Sequence, residues 1–161
     1  EEGVDLTPVI SSNQLEKVEG YARSGVQAGA EAVHGGKRAN REGYFMEPTI
    51  ITNVKVSDSI AQKEVFGPVL AVSTFETEEE AIGLANSTDY GLAAGVWTSD
   101  LSRAHRMIRS IKSGLVHVNT YGGSDLTIPL GGVKQSGNGY DKSLHAFDKY
   151  LNLKSAWIQL E

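Results

Sequence analysis

Cysteine is missing from all 161 residues. Its absence excludes disulfides, thiolate metal sites and thiol nucleophiles within the chain. It also fits a reducing compartment, and a cytoplasmic location is expected. No apolar run approaches the ~20 residues that a membrane-spanning helix needs. Excess basic charge is lacking too: Lys and Arg number 15 against 20 Asp and Glu, for a formal net charge of -5. A nucleic-acid or anionic-membrane surface needs clustered cations, so neither partner is expected. The longest basic cluster, Lys37-Arg38 with Arg41, lies among Gly and Asn and reads as a solvated loop. The start, Glu1-Glu2-Gly3, has no initiator Met and is neither a signal nor a transit peptide, so a processed or truncated chain is expected.

What is present describes a folded protein: 40% apolar and 22% charged residues, in a length that can enclose a core. Ser11 and Gln14 have capping-box spacing. Leu15, Val18, Ala22, Val26 and Ala30 follow at steps of three and four, which predicts a helix with one apolar face. The stretch 27–34 can leave that helix for a short strand. Residues 48–54 are β-branched and predict a strand. Residues 68–75 predict another, apolar enough to be covered on both faces. Thr77 and Glu80 cap a second helix with Ala81, Ile82, Leu84 and Ala85 inward. Glu78, Glu79 and Glu80 are better explained by the positive start of that helix than as an acid/base cluster. Residues 92–98 predict a strand. Ser99 or Asp100 opens a third helix, with Leu101, Ala104, Met107, Ile108 and Ile111 on one face. Residues 115–119 predict a strand, 142–149 a short helix, and 151–160 a final strand. Alternating strands and capped helices imply an α/β fold with a mostly parallel sheet and flanking helices, whose ligands meet loops at the strands' carboxyl ends.

Single motifs read blandly. The four histidines, at 34, 105, 117 and 145, include no pair spaced as metal ligands on one helix face, and no metal is expected. His117 projects from a strand and reads as structural. No G-x-S-x-G elbow supports a Ser-His-Asp hydrolase. Gly132 and Gly137 have phosphate-loop spacing, but Asn138 stands where Lys is required. Gly137 and Gly139 begin a dinucleotide fingerprint, but Lys142 occupies the third Gly position. Tight backbone turns remain as the account of this glycine-rich run. Glu64 and Phe66, two apart, point the same way if the segment is extended. Such a pair suits ribose hydroxyls and a flat ring, although an exposed Glu beside a core Phe is the blander account.

The motifs taken together carry more. Glu64-Val65-Phe66-Gly67-Pro68-Val69 resembles the E-[IV]-F-G-P-V signature of the aldehyde dehydrogenase superfamily. Pro8-Val9-Ile10-Ser11, Gly43-Tyr44-Phe45 with Pro48-Thr49-Ile50, and Asn86 with Tyr90-Gly91-Leu92-Ala93-Ala94 resemble further family segments in the family's order. So do Val118-Asn119 and the run from Pro129 through Gly131-Gly132, Lys134 and Ser136-Gly137 to Gly139. The resemblance covers essentially the whole chain and marks it as a C-terminal fragment. Lys134 to Gly139, then Asp141 to Ala146, with Lys154 and Trp157-Ile158 beyond, resemble the γ-glutamyl-γ-aminobutyraldehyde dehydrogenase branch.

The resemblance implies oxidation of an aldehyde to a carboxylic acid with NAD or NADP, through a cysteine thiolate and a glutamate base. In the family those two residues and the main dinucleotide site lie upstream, so no catalytic residue is assigned within this chain and the chain alone is expected to be inactive. By similarity, Glu64 binds the nicotinamide ribose and Phe66 packs beside the nicotinamide. Asn119 shapes the active-site floor. The loop from Tyr121 to Leu130, with Ser124, Asp125 and Leu130, lines the substrate tunnel. Residues 1–150 would then be the C-terminal part of the catalytic domain, and 151–161 an oligomerisation strand that joins a second copy. Two departures stand out. Leu130 replaces the usual Phe, which puts the substrate range in question. Tyr140-Asp141 replaces the usual Arg-Glu, which removes a guanidinium near the subunit contact. Asp125 is also a candidate for attracting an amino or ammonium group on the substrate, against a plain role in capping loop amides. Two other readings compete: a non-enzymatic truncated oligomerisation or interaction module, and a complete chain with unrelated hydrolytic activity.

Overall fold

Ser11 begins the first helix. Its hydroxyl accepts the Gln14 N–H at 3.2 Å, and α1 runs Ser12–Gln27. Leu15, Val18 and Ala22 are buried on the face that their spacing predicts, whereas Val26 stays exposed and Ala30 is buried beyond the helix end. The chain is described here from a computed structural model that covers residues 3, 5–123 and 125–161. It forms two compact units that divide after Thr88.

In the first unit, β1 (Glu31–His34) pairs antiparallel with β2 (Thr49–Thr52), and β2 pairs parallel with β3 (Val69–Ala71). A short helix, α2 (Ser59–Gln62), lies in the crossover between β2 and β3. Parallel pairing requires such a crossover, because a tight turn returns the chain antiparallel. The core gathers Leu15, Val18 and Ala22 with Met46, Ile51, Val54 and Ile60. Helix α3 (Glu78–Asn86) is capped as expected: Thr77 Oγ1 accepts the Glu80 N–H at 3.1 Å, and its three glutamates fill the first turn.

Two packing expectations fail in this unit. No residue of α3 is buried; Ala81, Ile82 and Leu84 are half-buried and Ala85 is exposed. Strand β3 is not covered on both faces, since Leu70 is 58% exposed. Both sequences are apolar enough to be covered, but nothing among the described residues covers them. Hydrophobic periodicity reports which face wants a partner, not whether one is supplied.

The second unit holds β4 (Tyr90–Gly91), β5 (Ala93–Val96), α4 (Leu101–Ser110), β6 (Leu115–Val118), β7 (Leu130–Gly131), β8 (Val133–Lys134) and β9 (Tyr140–Asp141), and ends in a 3₁₀ helix (Leu144–Tyr150). β5 and β6 are parallel, joined by the α4 crossover. The Asp100 carboxylate caps α4 by accepting the Arg103 N–H at 3.0 Å, and that bond holds its pKa below the ordinary 3.8. Ala104, Met107 and Ile111 are buried, but Leu101 and Ile108 are exposed. β4–β8 and β7–β9 are two-residue antiparallel ladders. The expected mostly parallel sheet is thus corrected to mixed pairing within an α/β fold. The two helix-linked pairs are parallel, while the glycine-rich run folds back on itself locally. There, a Cβ on Gly114 would stand 1.8 Å from the Gly131 carbonyl oxygen, so backbone meets backbone without room for a side chain.

The expected final strand is not formed within a single copy of the chain. Residues 151–161 form no strand in this structure, and Leu153, Trp157, Ile158 and Leu160 are exposed. An isolated extended segment has no ladder of its own; strand character is conferred by a hydrogen-bonded neighbour.

Candidate functional site

The segment 63–68 crosses the first unit between α2 and β3. Val65 packs against the core, and its neighbours Glu64 and Phe66 are both exposed, Phe66 at 72%. Val65 thus anchors the segment, and the residues on either side of it stay exposed. The segment is not extended at Phe66, whose φ of 54° lies in the left-handed region that a bulky residue adopts only when its surroundings hold it there.

Two contacts from α1 hold it. The Gln14 amide Nε2 donates to the Val65 and Phe66 carbonyl oxygens, each at 3.0 Å. One turn on, Val18 is fully buried against Gly67, where a Cβ would stand 2.6 Å from Val18 Cγ2. Gln14 sits where a capping box would send its side chain back to the helix start. Its amide goes to the loop instead. Sequence reading missed this role. The signal was an amide at the third helical position, which is equally expected of an ordinary cap.

Glu64 and Phe66 fit the nicotinamide end of a dinucleotide in chemical type. No side chain among the described residues engages the Glu64 carboxylate, which leaves it able to accept from ribose hydroxyls. The Phe66 ring offers an open apolar face to a planar group.

The second unit carries the other expected residues. Asn119 ends β6 with φ 55°. Its side-chain amide closes on one backbone residue, with Oδ1 accepting the Thr98 N–H at 2.8 Å and Nδ2 donating to the Thr98 carbonyl at 2.9 Å. That doubles as an extra rung between the ends of β5 and β6. Ser124 lies outside the described residues. Asp125 is exposed, and its Oδ1 accepts from both the Thr127 N–H and the Thr127 hydroxyl at 2.8 Å. These bonds hold its carboxyl below the ordinary 3.8, the backbone bond contributing most. Asp125 thus caps its own loop through one oxygen. Leu130, half-buried in β7, is paired with Asp141.

Three residues of the 121–130 loop line a cavity. Leu126, Thr127 and Pro129 form one wall and Ser143, Leu144 and His145 the other, around about 570 Å³. The walls are tied by the Ser143 N–H donating to the Leu126 carbonyl at 2.7 Å. Asn119, Asp125 and Leu130 are not among the lining residues. At the departure from Arg-Glu, Asp141 pairs with Lys149, raising the Lys149 pKa above its usual value through that hydrogen bond. The Tyr140 ring lies 6.3 Å from that of His145.

The model of the aldehyde dehydrogenase family matches residues 1–156. The chain belongs to the aldehyde dehydrogenase family. It is 57% identical over 114 residues to the NADP/NAD-dependent aldehyde dehydrogenase PuuC of Escherichia coli K12, covering 71% of this chain and 23% of that protein. It is 43% identical to the putative aldehyde dehydrogenase DhaS of Bacillus subtilis 168, over 97% of this chain and 32% of that one. An indole-3-acetaldehyde dehydrogenase structure with NAD+ superposes with a TM-score of 0.94 at 52% identity, over 98% of this chain and 32% of the other. The aldehyde dehydrogenase KauB of Pseudomonas aeruginosa gives 0.90 at 51% identity, over 95% and 31%. Over nearly its full length, the chain therefore spans about a third of these relatives.

Proposed function

We propose that this chain is the carboxyl-terminal portion of an NAD(P)+-dependent aldehyde dehydrogenase and that it grips the nicotinamide half of the cofactor. One observation carries the proposal: an unengaged Glu64 carboxylate and an exposed Phe66 ring leave the same turn, which is anchored by Val65 in the core. When bound, the cofactor supplies the hydride acceptor. Glu64 accepts from its ribose hydroxyls and Phe66 limits the tilt of its ring, so that distance and angle are fixed before reaction.

The chain supplies neither thiol nor thiolate. Covalent capture of an aldehyde by cysteine therefore falls to other parts of the complete protein, and the isolated chain is inactive. Asn119 and the 121–130 loop contribute the substrate side. The preferred substrate is an amino- or γ-glutamylamino-aldehyde. The similarity to PuuC over 114 residues supports this, as does the second Asp125 oxygen, which is free to meet an ammonium group. The segment 151–161 adds to a sheet edge of a second copy, making a homo-oligomer in the cytoplasm. Its exposed Leu153, Trp157 and Ile158 support this.

The test compares the isolated chain with the full-length protein for NAD(P)+-dependent oxidation of γ-glutamylaminobutyraldehyde and of a plain alkyl aldehyde. The expected result is turnover by the full-length protein only, with higher kcat/KM for the amino compound. Turnover by the isolated chain, or none by either protein, would refute the proposal.

A further inference from the structure

The carboxyl half of α1 and the loop after β1 carry four cations, Arg23, Lys37, Arg38 and Arg41. Two of them are engaged. Arg38 Nε donates to Glu19 Oε2 at 2.7 Å, and the Arg41 guanidinium lies 4.0 Å from the centre of the Phe45 ring. No carboxylate or ring among the described residues engages Arg23 or Lys37. These two line one cavity of the first unit, about 390 Å³ in volume. Ala22, Val26 and Ala32 give that cavity an apolar lining, and Glu19, the one carboxylate on it, is the partner already taken by Arg38. The backbone under both cations is fixed. Arg23 follows the buried Ala22 on α1. Lys37 follows Gly35 and Gly36, at φ 66° and 87°. A Cβ on Gly35 would stand 2.2 Å from the Pro48 carbonyl oxygen, and the Gly36 N–H donates to the Thr49 hydroxyl at 2.9 Å. The Lys37 carbonyl in turn accepts the Glu47 N–H at 3.0 Å. The basic cluster that reads in sequence as a solvated loop is therefore divided: its two arginines are partnered, and its lysine joins Arg23 over an apolar hollow.

We propose that this cavity binds a small organic carboxylate, its charged end between Arg23 and Lys37 and a short aliphatic chain against Ala22, Val26 and Ala32. Charge complementarity selects the charged end. With Glu19 neutralised by Arg38, two positive charges remain for the ligand, and a guanidinium can hold both oxygens of a carboxylate while an ammonium adds a point charge. The lining selects the rest. Inorganic phosphate would use the cations and none of the apolar surface; an alkylamine would use the surface and be repelled by the cations. The volume lies at the lower end of the roughly 300–1,000 Å³ of small-molecule sites. None of the described residues on this cavity belongs to the segment 63–68, so the site does not depend on the roles of Glu64 and Phe66. The oxidation proposed above itself releases a carboxylate, and the test therefore has to separate this cavity from the substrate side.

The test titrates hexanoate, inorganic phosphate and hexylamine into the full-length protein by calorimetry, with folding followed by thermal melting. Hexanoate is expected to bind, phosphate to bind at least about tenfold more weakly, and hexylamine not to bind. Arg23→Gln and Lys37→Gln should each raise the Kd for hexanoate on the order of tenfold. Lys37→Arg, which keeps the charge, should stay within about threefold of wild type. Val26→Glu places a carboxylate among the lining residues, where it competes for the same cations, and should abolish hexanoate binding. All four positions altered are exposed or half-exposed in wild type, so melting temperatures should hold. These variants leave any hexanoate bound on the substrate side untouched, and that is what separates the two sites. Hexanoate binding unchanged in the Arg23→Gln, Lys37→Gln double variant would place the ligand elsewhere and overturn the proposal. Phosphate binding as tightly as hexanoate would overturn the assigned class, and the absence of saturable hexanoate binding would overturn the site.

Discussion

Val18 and Gly67 meet so closely that a β-carbon on Gly67 would stand 2.6 Å from Val18 Cγ2. Val18 is fully buried and cannot swing away. Gly67→Ala should therefore destabilise the first unit by about 1–3 kcal/mol through overpacking. It should also weaken NAD+ binding in the full-length protein, because the turn is pushed off α1. Denaturant unfolding and calorimetry measure the two effects. An unchanged unfolding midpoint would mean that the contact yields freely.

Asn119 gives a second, independent check in the other unit. Its amide makes two hydrogen bonds to Thr98, from a left-handed backbone that Asn tolerates better than most residues. Asn119→Ala loses both bonds and keeps the backbone cost, with an expected loss of about 1–3 kcal/mol. Asn119→Gly loses the bonds but relieves the backbone, so it should unfold at a higher denaturant concentration than Asn119→Ala. The reverse order would contradict the clamp.

The pH response of the 125–128 turn follows from Asp125. Its folded pKa lies below the ordinary 3.8 because the Thr127 N–H and hydroxyl stabilise the carboxylate. A depressed carboxyl pKa stabilises the fold above pH 3.8 and loses that contribution as pH falls through the folded value. Amide exchange at Thr127, corrected for intrinsic rates, should therefore be protected at neutral pH and accelerate below pH 3.8. Asp125→Asn should flatten that profile, and it should raise KM for amino-bearing aldehydes more than for plain ones. Equal KM changes would leave Asp125 as a loop cap alone.

Residues 151–161 expose Leu153, Trp157, Ile158 and Leu160 without a strand partner. Removing them from the full-length protein should convert an oligomer into smaller species by light scattering. A deletion that leaves the molar mass per particle at the same number of subunits would contradict strand exchange.

The sequence exposed its helix caps well, because Ser11, Thr77 and Asp100 act over three residues and need no tertiary information. It exposed the strands of the two parallel pairs as short apolar runs, and the capped α4 crossover between β5 and β6, but not α2 between β2 and β3, a single turn with no side-chain cap. It did not expose the antiparallel ladders at Leu130–Gly131 and Val133–Lys134, where two residues are too few for a period to show. It overstated the burial of α3 and β3, since an apolar face marks a need for cover and not its source. At the site, Glu64 and Phe66 were visible as a motif, but the reason they share a turn was not. That reason is Gln14, more than fifty positions earlier, whose spacing from Ser11 pointed to a cap. Ser143 and His145, which wall the cavity under the 121–130 loop, carried no motif that set them apart.

The most direct measurement is the affinity of the full-length protein for NAD+ before and after Glu64→Gln, at equal folded fraction. The account predicts a Kd raised on the order of tenfold or more, because the neutral amide accepts ribose hydroxyls less strongly than the charge-bearing carboxylate. An unchanged Kd would contradict it, since the carboxylate would then be an exposed surface group with no part in holding the cofactor.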